Sequence, residues 1–277
     1  MKVAVTGARG FIGRHVLAEL ALRDVEIVAS TRNINDALPQ HPLNVSWVEL
    51  DISNPPENCY LALGKPDVLI HLAWDGLPNY RSLHHFETEL PAQYNFLASL
   101  VRAGLPSLVS VGTCFEYGMQ SGPLAANIDT HPDNPYGFAK DVLRKKLQYL
   151  QANHPFNLTW ARLFYMYGDG QSENSLFPSL KKAVEAGEKT FKMSGGEQLR
   201  DYLHVTEIAK QLIDLAQNPK NIGPINICSG EPISIQNLVR EWIKENHWEI
   251  ELELGHYPYA DYEPIAFWGD KTMSINH

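Results

Sequence analysis

The chain has 277 residues, enough to bury a core unaided, and its three cysteines (Cys59, Cys114, Cys228) have no CxxC spacing, which argues against a disulfide framework or structural zinc. A formal charge of −9 provides no basic footprint for nucleic acid and leaves only a local positive pocket for phosphate. Met1 runs straight into Lys2-Val3-Ala4-Val5 without a signal-type segment, and no apolar stretch approaches the ~20 residues of a membrane span, so a cytoplasmic protein with no metal, membrane or nucleic-acid partner is expected.

From residue 2 to about residue 163, short β-branched runs alternate with longer amphipathic runs. The first predicted strand, Lys2 to Thr6, leads through Thr6-Gly7-Ala8-Arg9-Gly10-Phe11-Ile12-Gly13 into a helix over Gly10 to Leu22. A GxxGxxG turn between strand and helix is the context of a dinucleotide fingerprint. Gly7 takes the tight turn, Gly10 admits a pyrophosphate, Gly13 lets helix and strand approach, and the helix N-terminus, with Phe11 and Ile12 in its first turn, faces the anion.

The second strand, Val25 to Thr31, ends in Ala29-Ser30-Thr31-Arg32, without the carboxylate that would take an adenosine ribose hydroxyl. Arg32 and Arg9 suit a 2′-phosphate better, so NADP(H) is expected as the preferred cofactor, with NAD(H) as the alternative. Asp51 and Ile52, after a third strand over Val45 to Leu50, suit the adenine edge. Leu72 and Ala73, after a fourth strand over Asp67 to Leu72, suit the pyrophosphate groove. A helix over Arg81 to Ala103, a fifth strand over Ser107 to Gly112, a helix over Tyr136 to Asn153 and a sixth strand over Asn157 to Leu163 complete the pattern.

The expected fold is α/β: a Rossmann-type doubly wound parallel sheet with a smaller C-terminal substrate lobe. Residues 1–163 would form the NAD(P)-binding domain and 164–277 a smaller second lobe. The two would be interleaved, because Val205 to Ala216 reads as an amphipathic helix and 199–220 would pack back on the first domain.

Tyr136-Gly137-Phe138-Ala139-Lys140 puts a phenol and an ammonium one helical turn apart, downstream of a strand end reading Gly112-Thr113-Cys114-Phe115-Glu116-Tyr117-Gly118. With these motifs, Asn134-Pro135-Tyr136-Gly137, Arg162-Leu163 leading to Tyr167-Gly168, Arg200-Asp201-Tyr202-Leu203-His204-Val205 and Ile225-Asn226-Ile227-Cys228-Ser229-Gly230 resemble the extended short-chain dehydrogenase/reductases over nearly the whole chain. These are the NAD-dependent epimerase/dehydratase family of nucleotide-sugar enzymes. The resemblance implies Tyr136 as acid/base, Lys140 as the group that binds the nicotinamide ribose and lowers the tyrosine pKa, and Thr113 as the partner of the reacting sugar oxygen. It implies a substrate-binding set of Thr113, Cys114, Phe115, Ser175 and Arg200, the arginine on the nucleotide diphosphate. It also implies a homodimer through the two long helices, for which Phe96, Leu97, Leu100, Leu143, Leu147 and Leu150 are the candidate apolar face, with burial in the monomer core as the alternative for several of them.

Family members divide by what stands beside the threonine. Dehydratases carry Asp-Glu there, and here the positions are Cys114 and Phe115, with Glu116 one step late. Double epimerases of the GDP-fucose synthase type carry Cys and His where this chain has Phe115 and Gly170. Three positions depart from the family pattern: Tyr165 and Glu89 replace asparagines, and Glu207 is the acidic residue after His-Val-x. The expected reaction is NAD(P)H-dependent reduction of the C4 keto group of a 4-keto-6-deoxyhexose on dTDP, CDP or GDP. The alternatives are an NAD-dependent 4-epimerase and a non-catalytic NADP(H)-sensing regulator.

Overall fold

Seven parallel strands form the centre of the computed structural model, which describes residues 1–35, 44–259, 261 and 263–271. They are β1 Lys2–Thr6, β2 Glu26–Thr31, β3 Val45–Glu49, β4 Val68–His71, β5 Ser107–Thr113, β6 Asn157–Leu163 and β7 Gly223–Ile227. Their spatial order is β7-β6-β5-β4-β1-β2-β3, so the winding direction reverses between β1 and β4. The crevice at the carboxyl ends of those two strands is where an open α/β sheet receives a ligand.

Helices cover both faces, which is why β1, β4, β5 and β6 are buried along nearly their whole length. On one face lie α1 (Phe11–Leu20) and a later helix, Val205–Gln217, where Val16, Leu17 and Leu20 meet Ile208, Leu212 and Ile213 over Val3, Val5 and Ile27. On the other lie α2 (Leu90–Arg102) and α3 (Pro135–Asn153), whose Phe96, Leu97, Leu100, Leu143 and Leu147 cover Ala4, Leu69, Leu108 and Trp160. A smaller core joins α4 (Leu176–Glu185) to the helix Ile235–Glu245 through Leu180, Phe191, Leu238, Val239 and Trp242. In chain order Val205–Gln217 is α5 and Ile235–Glu245 is α6.

The structure corrects three expectations. The helix expected from Arg81 begins at Leu90, after a π-helical turn over His85–Glu89, because residues 76–84 close on themselves: Asn79 N donates to Gly76 O at 3.1 Å and His85 Nε2 bonds Asn79 O at 2.9 Å. The segment Gly223–Ile227 is a full member of the sheet, paired with β6 from Gly223 opposite Thr159 to Ile227 opposite Leu163. The candidate dimer face is core: Phe96, Leu97, Leu100, Leu143 and Leu147 are completely buried and Leu150 nearly so, each facing the sheet of its own chain. On the same helices the outward apolar side chains are Phe138 and Tyr149. Among the described residues no helix is long and apolar enough to cross a membrane.

Candidate active site

At the β1/β4 switch point the glycine turn does what its spacing requires. Gly7 has φ +70°, and a Cβ there would stand 2.7 Å from Ala73 N; one on Gly13 would stand 2.2 Å from Gly7 O. Side chains at either position would push β1, α1 and the β4 loop apart. α1 starts without a side-chain cap and without an acidic residue in its first turn, leaving its N–H groups and dipole for an anion.

A groove of ≈ 520 Å³ opens beside this turn, lined by Gly7, Arg9, Gly10, Arg32, Asp51, Ile52, Leu72 and Ala73 together with Trp74, Asp75, Glu89 and Gln93. Of the remaining residues nominated for the cofactor, Gly13 is buried against Ala8, Ile12 packs on the core and Phe11 meets His15 edge to face. Arg32 is exposed and faces Asp75, Nη1 to Oδ2 3.5 Å. The shape fits a dinucleotide, a glycine cradle for the pyrophosphate leading to a strand end that carries a cation.

A buried polar chain underlies the groove. Thr6 Oγ1 bonds His71 Nδ1 at 2.7 Å, His71 Nε2 donates to Gln93 Oε1 at 2.8 Å, and Gln93 Nε2 donates to Glu89 Oε2 at 2.9 Å. The same Glu89 oxygen accepts Asp75 N at 3.1 Å. Burial, with help from the Lys140 charge, lowers His71 to about 3, so its ring is neutral.

β5 ends at Thr113, and a 3₁₀ turn over Cys114–Tyr117 follows. α3 starts at the same place: the Asn134 side chain caps it by accepting Gly137 N at 2.9 Å, and a Cβ on Gly137 would come within 2.6 Å of Phe115 O. That close approach sets Tyr136 and Lys140 against Thr113. Lys140 Nζ donates to Val111 O at 3.1 Å and lies 4.0 Å above the Trp74 ring. Burial lowers Lys140 to about 7, against the opposing pull of Glu116 and Glu89. Burial also drives the Tyr136 phenol well above its ordinary range, with Tyr80, Glu116 and Cys114 acting in the same direction and a hydrogen bond with Thr113 opposing them.

Rings surround the phenol. Their centroids stand 5.2 Å (His85), 5.6 Å (Tyr80), 5.9 Å (Trp74) and 6.4 Å (Phe115) from that of Tyr136. Trp74 and Tyr80 lie on the irregular loop after β4 and His85 opens the π-helical turn that follows it, where no spacing rule reaches, so sequence reasoning missed them. Cys114 is a buried neutral thiol, raised by desolvation and by Glu263. Arg200 is buried beside it, with Nη2 2.8 Å from Glu263 Oε2, Nη1 on the carbonyls of Leu199 and Ile265, and its guanidinium 4.6 Å above Phe267. Ser175 stands apart from this group, at the N-terminus of α4, where its N–H and C=O bond Ser172 and Ser179.

The family model described as the NAD dependent epimerase/dehydratase family matches residues 3–228. The chain belongs to that family. Over 98% of its length it is 31% identical to the whole of a dTDP-6-deoxy-L-talose 4-dehydrogenase (NAD(+)) of Aggregatibacter actinomycetemcomitans. Over its full length it is 25% identical to 90% of a GDP-6-deoxy-D-talose 4-dehydrogenase of the same organism. Among solved structures, MoeE5 in complex with UDP-glucuronic acid and NAD superposes with a TM-score of 0.81 at 26% identity, covering 98% of this chain and 90% of that one. The sheet order is thus that of a Rossmann-type nucleotide-sugar enzyme fold.

Proposed function

We propose that this family member reduces the C4 keto group of a nucleotide-linked 4-keto-6-deoxyhexose, with a dTDP sugar as the first substrate to try. The observation that carries this reading is that Tyr136 is a buried phenol set beside Thr113 at the end of β5, with Lys140 one helical turn on. Burial holds its phenol neutral, and Thr113 is its hydrogen-bond partner. Cys114 is a neutral buried thiol and Glu116 is bound to Arg162 at 2.6 Å, so neither is free to take a proton from the sugar. Carbonyl reduction needs one proton, which Tyr136 can give, whereas elimination of water would need a further acid/base pair. The full-length likeness to a 4-dehydrogenase of dTDP-6-deoxy-L-talose points the same way.

Gly7, Gly10, the α1 N-terminus, Lys140 and Tyr136 would hold the nicotinamide cofactor, which when bound supplies or accepts the hydride at C4. Thr113 Oγ1 accepts Phe115 N at 3.3 Å, which leaves its own proton to orient the sugar O4 beside Tyr136. Tyr136 Oη gives its proton to O4 as the carbonyl becomes an alcohol. Lys140 then stabilises the phenolate left behind. Arg200, released from Glu263, would clamp the diphosphate.

A 4-epimerase that retains its own NAD is the second reading, and one observation favours it: Asp75 already faces Arg32, so a 2′-phosphate would have to displace a carboxylate. The deciding assay is a panel of nucleotide 4-keto sugars with NADPH and with NADH, followed by absorbance of the reduced nicotinamide. Turnover that consumes cofactor stoichiometrically supports the reductase. Interconversion of C4 epimers with no net consumption replaces it with the epimerase, and inertness toward every sugar while cofactor still binds leaves the NADP(H)-sensing regulator. We further propose a cytoplasmic homodimer, joined over the outer face of α2 and α3 where Phe138 and Tyr149 are exposed. Three free buried cysteines suit a reducing compartment. A monomeric mass in solution at micromolar concentration rejects the dimer.

A further inference from the structure

The mechanism leaves one wholly buried carboxylate unused. Glu116 sits in the turn after Thr113 with no solvent exposure. Its Oε1 accepts the backbone N–H of Thr113 and the indole N–H of Trp160, both at 2.9 Å. Its Oε2 accepts Arg162 Nε at 2.6 Å and stands 3.9 Å from Arg144 Nε. Room for this arrangement exists only because residue 112 is glycine: a Cβ there would lie 2.3 Å from Glu116 Oε1 and 2.2 Å from Trp160 Nε1.

These partners belong to separate elements, and each element carries part of the proposed chemistry. Thr113 closes β5 and holds the sugar oxygen. Trp160 and Arg162 lie on β6, next to β5 in the sheet, with Gly112 opposite Arg162 in the register. Arg144 lies on α3, one helical turn beyond Lys140 and two beyond Tyr136, and is itself fixed by Asp141 at 2.5 Å. An apolar side chain of similar size would fill this space without the cost of burying an ion pair, so packing alone does not call for a carboxylate here.

We propose that Glu116 is a positioning residue that locks Thr113, Tyr136 and Lys140 into one geometry and sets the charge beneath them. The proposal rests on the reading of those three residues as the reacting set. The charged and titratable groups facing Glu116 are Arg162 from β6, Arg144, Tyr136 and Lys140 from α3, and Tyr117 and Cys114 from its own turn. Its negative charge favours the protonated forms of both Lys140 and Tyr136. The other groups acting on that pair, Glu89 on Lys140 and Tyr80 and Cys114 on Tyr136, remain when Glu116 is neutralised.

The test is Glu116→Gln, which keeps an oxygen for Thr113 N–H while removing the charge. Because that variant leaves Arg162 buried without a counter-ion, Glu116→Gln/Arg162→Met is made beside it, and Tyr136→Phe serves as the control. Reduced-cofactor titration, circular dichroism and the pH profile of kcat are read for all three. We expect cofactor Kd within about twofold of the parent, kcat lowered by at least ~10-fold, and the alkaline limb of the kcat profile moved to lower pH, because a lost negative charge makes neighbouring protons easier to remove. A lowered kcat with an unmoved limb, an unchanged kcat, or loss of the folded state in both Glu116 variants overturns the proposal while an inactive Tyr136→Phe leaves the reacting set standing. An active Tyr136→Phe overturns the reacting set and the proposal with it.

Discussion

Asp75 reaches across the mouth of the cofactor groove toward Arg32, Oδ2 to Nη1 3.5 Å, with both side chains mostly in water. The pair spans the crevice between the β2 end and the loop after β4, and so stands where the adenosine half of a dinucleotide must lie. An exposed pair of this kind contributes little stability, and under the proposed NADP(H) preference Arg32 would have to leave its carboxylate for an incoming phosphate. Asp75→Asn is expected to tighten NADPH while leaving NADH nearly unchanged. Arg9→Ala/Arg32→Ala should weaken NADPH far more than NADH, erasing a preference that, at about 1.5 to 3 kcal/mol per charge-assisted contact, would amount to at least ~100-fold in Kd. Titration of both reduced cofactors reads both effects. A parent protein that binds NADH as well as NADPH, or that copurifies with NAD, rejects the NADP(H) preference.

Tyr136→Phe removes one hydroxyl from a ring held on all sides by other rings, so the fold should survive. Turnover should fall by at least ~100-fold, the scale of a lost general acid, with NAD(P)H affinity retained. Steady-state rates and a binding titration on the same sample test it, and equal turnover by variant and parent would assign the proton to another group.

Gly13→Ala should destroy the cofactor site even though alanine favours helix. The new methyl would lie 2.2 Å from Gly7 O and 2.7 Å from Ala8 Cα, backbone atoms of the turn itself. Thermal melts should show a loss of roughly 1 to 3 kcal/mol, the usual cost of overpacking, and dinucleotide binding should vanish. Undiminished binding would mean that α1 can slide along β1.

His71 makes stability depend on acid. Its pKa lies near 3 in the folded protein and about 6.5 in an open chain, so the unfolded state binds more protons between those values. The contribution is fully present above about pH 6.5 and is lost as pH falls toward 3, by at most about 1.4 kcal/mol for each pH unit crossed. Urea unfolding at a series of pH values tests it. A flat unfolding midpoint from pH 6.5 down to 4 would contradict a buried, neutral His71.

Features carried by local spacing or by repetition along the chain were legible from residues alone: the glycine turn at 7–13, the Tyr136–Lys140 spacing and the alternation that yields a parallel sheet. What escaped depended on distant segments. Periodicity marks an apolar stripe but not what covers it, so Phe96, Leu100 and Leu147 read as readily as an interface as they do as core. Sequence position puts Glu116 only one step past the pair that dehydratases use, whereas the 3₁₀ turn swings it inward to Trp160 and Arg162, 44 and 46 residues away. Tyr80 and His85 escaped for a related reason. Their loop closes on its own carbonyls and carries their rings to Tyr136, which no helical repeat through Arg81 would do.

The seventh strand arrives late. β7 pairs with β6 only after the chain has passed through α4 and returned through α5, whose Ile208, Leu212 and Ile213 seal the face of the sheet over Val5, Ile70 and Val109. A ribosome-bound chain that has emerged only to residue 163 therefore exposes an open strand edge on β6 and an apolar sheet face that α1 alone covers in part; α5 completes that cover and β7 closes the edge only when the chain through Ile227 has left the exit tunnel. The window for mispairing during synthesis is thus set by the sheet order, and a fragment ending at Leu163 should need a chaperone or aggregate.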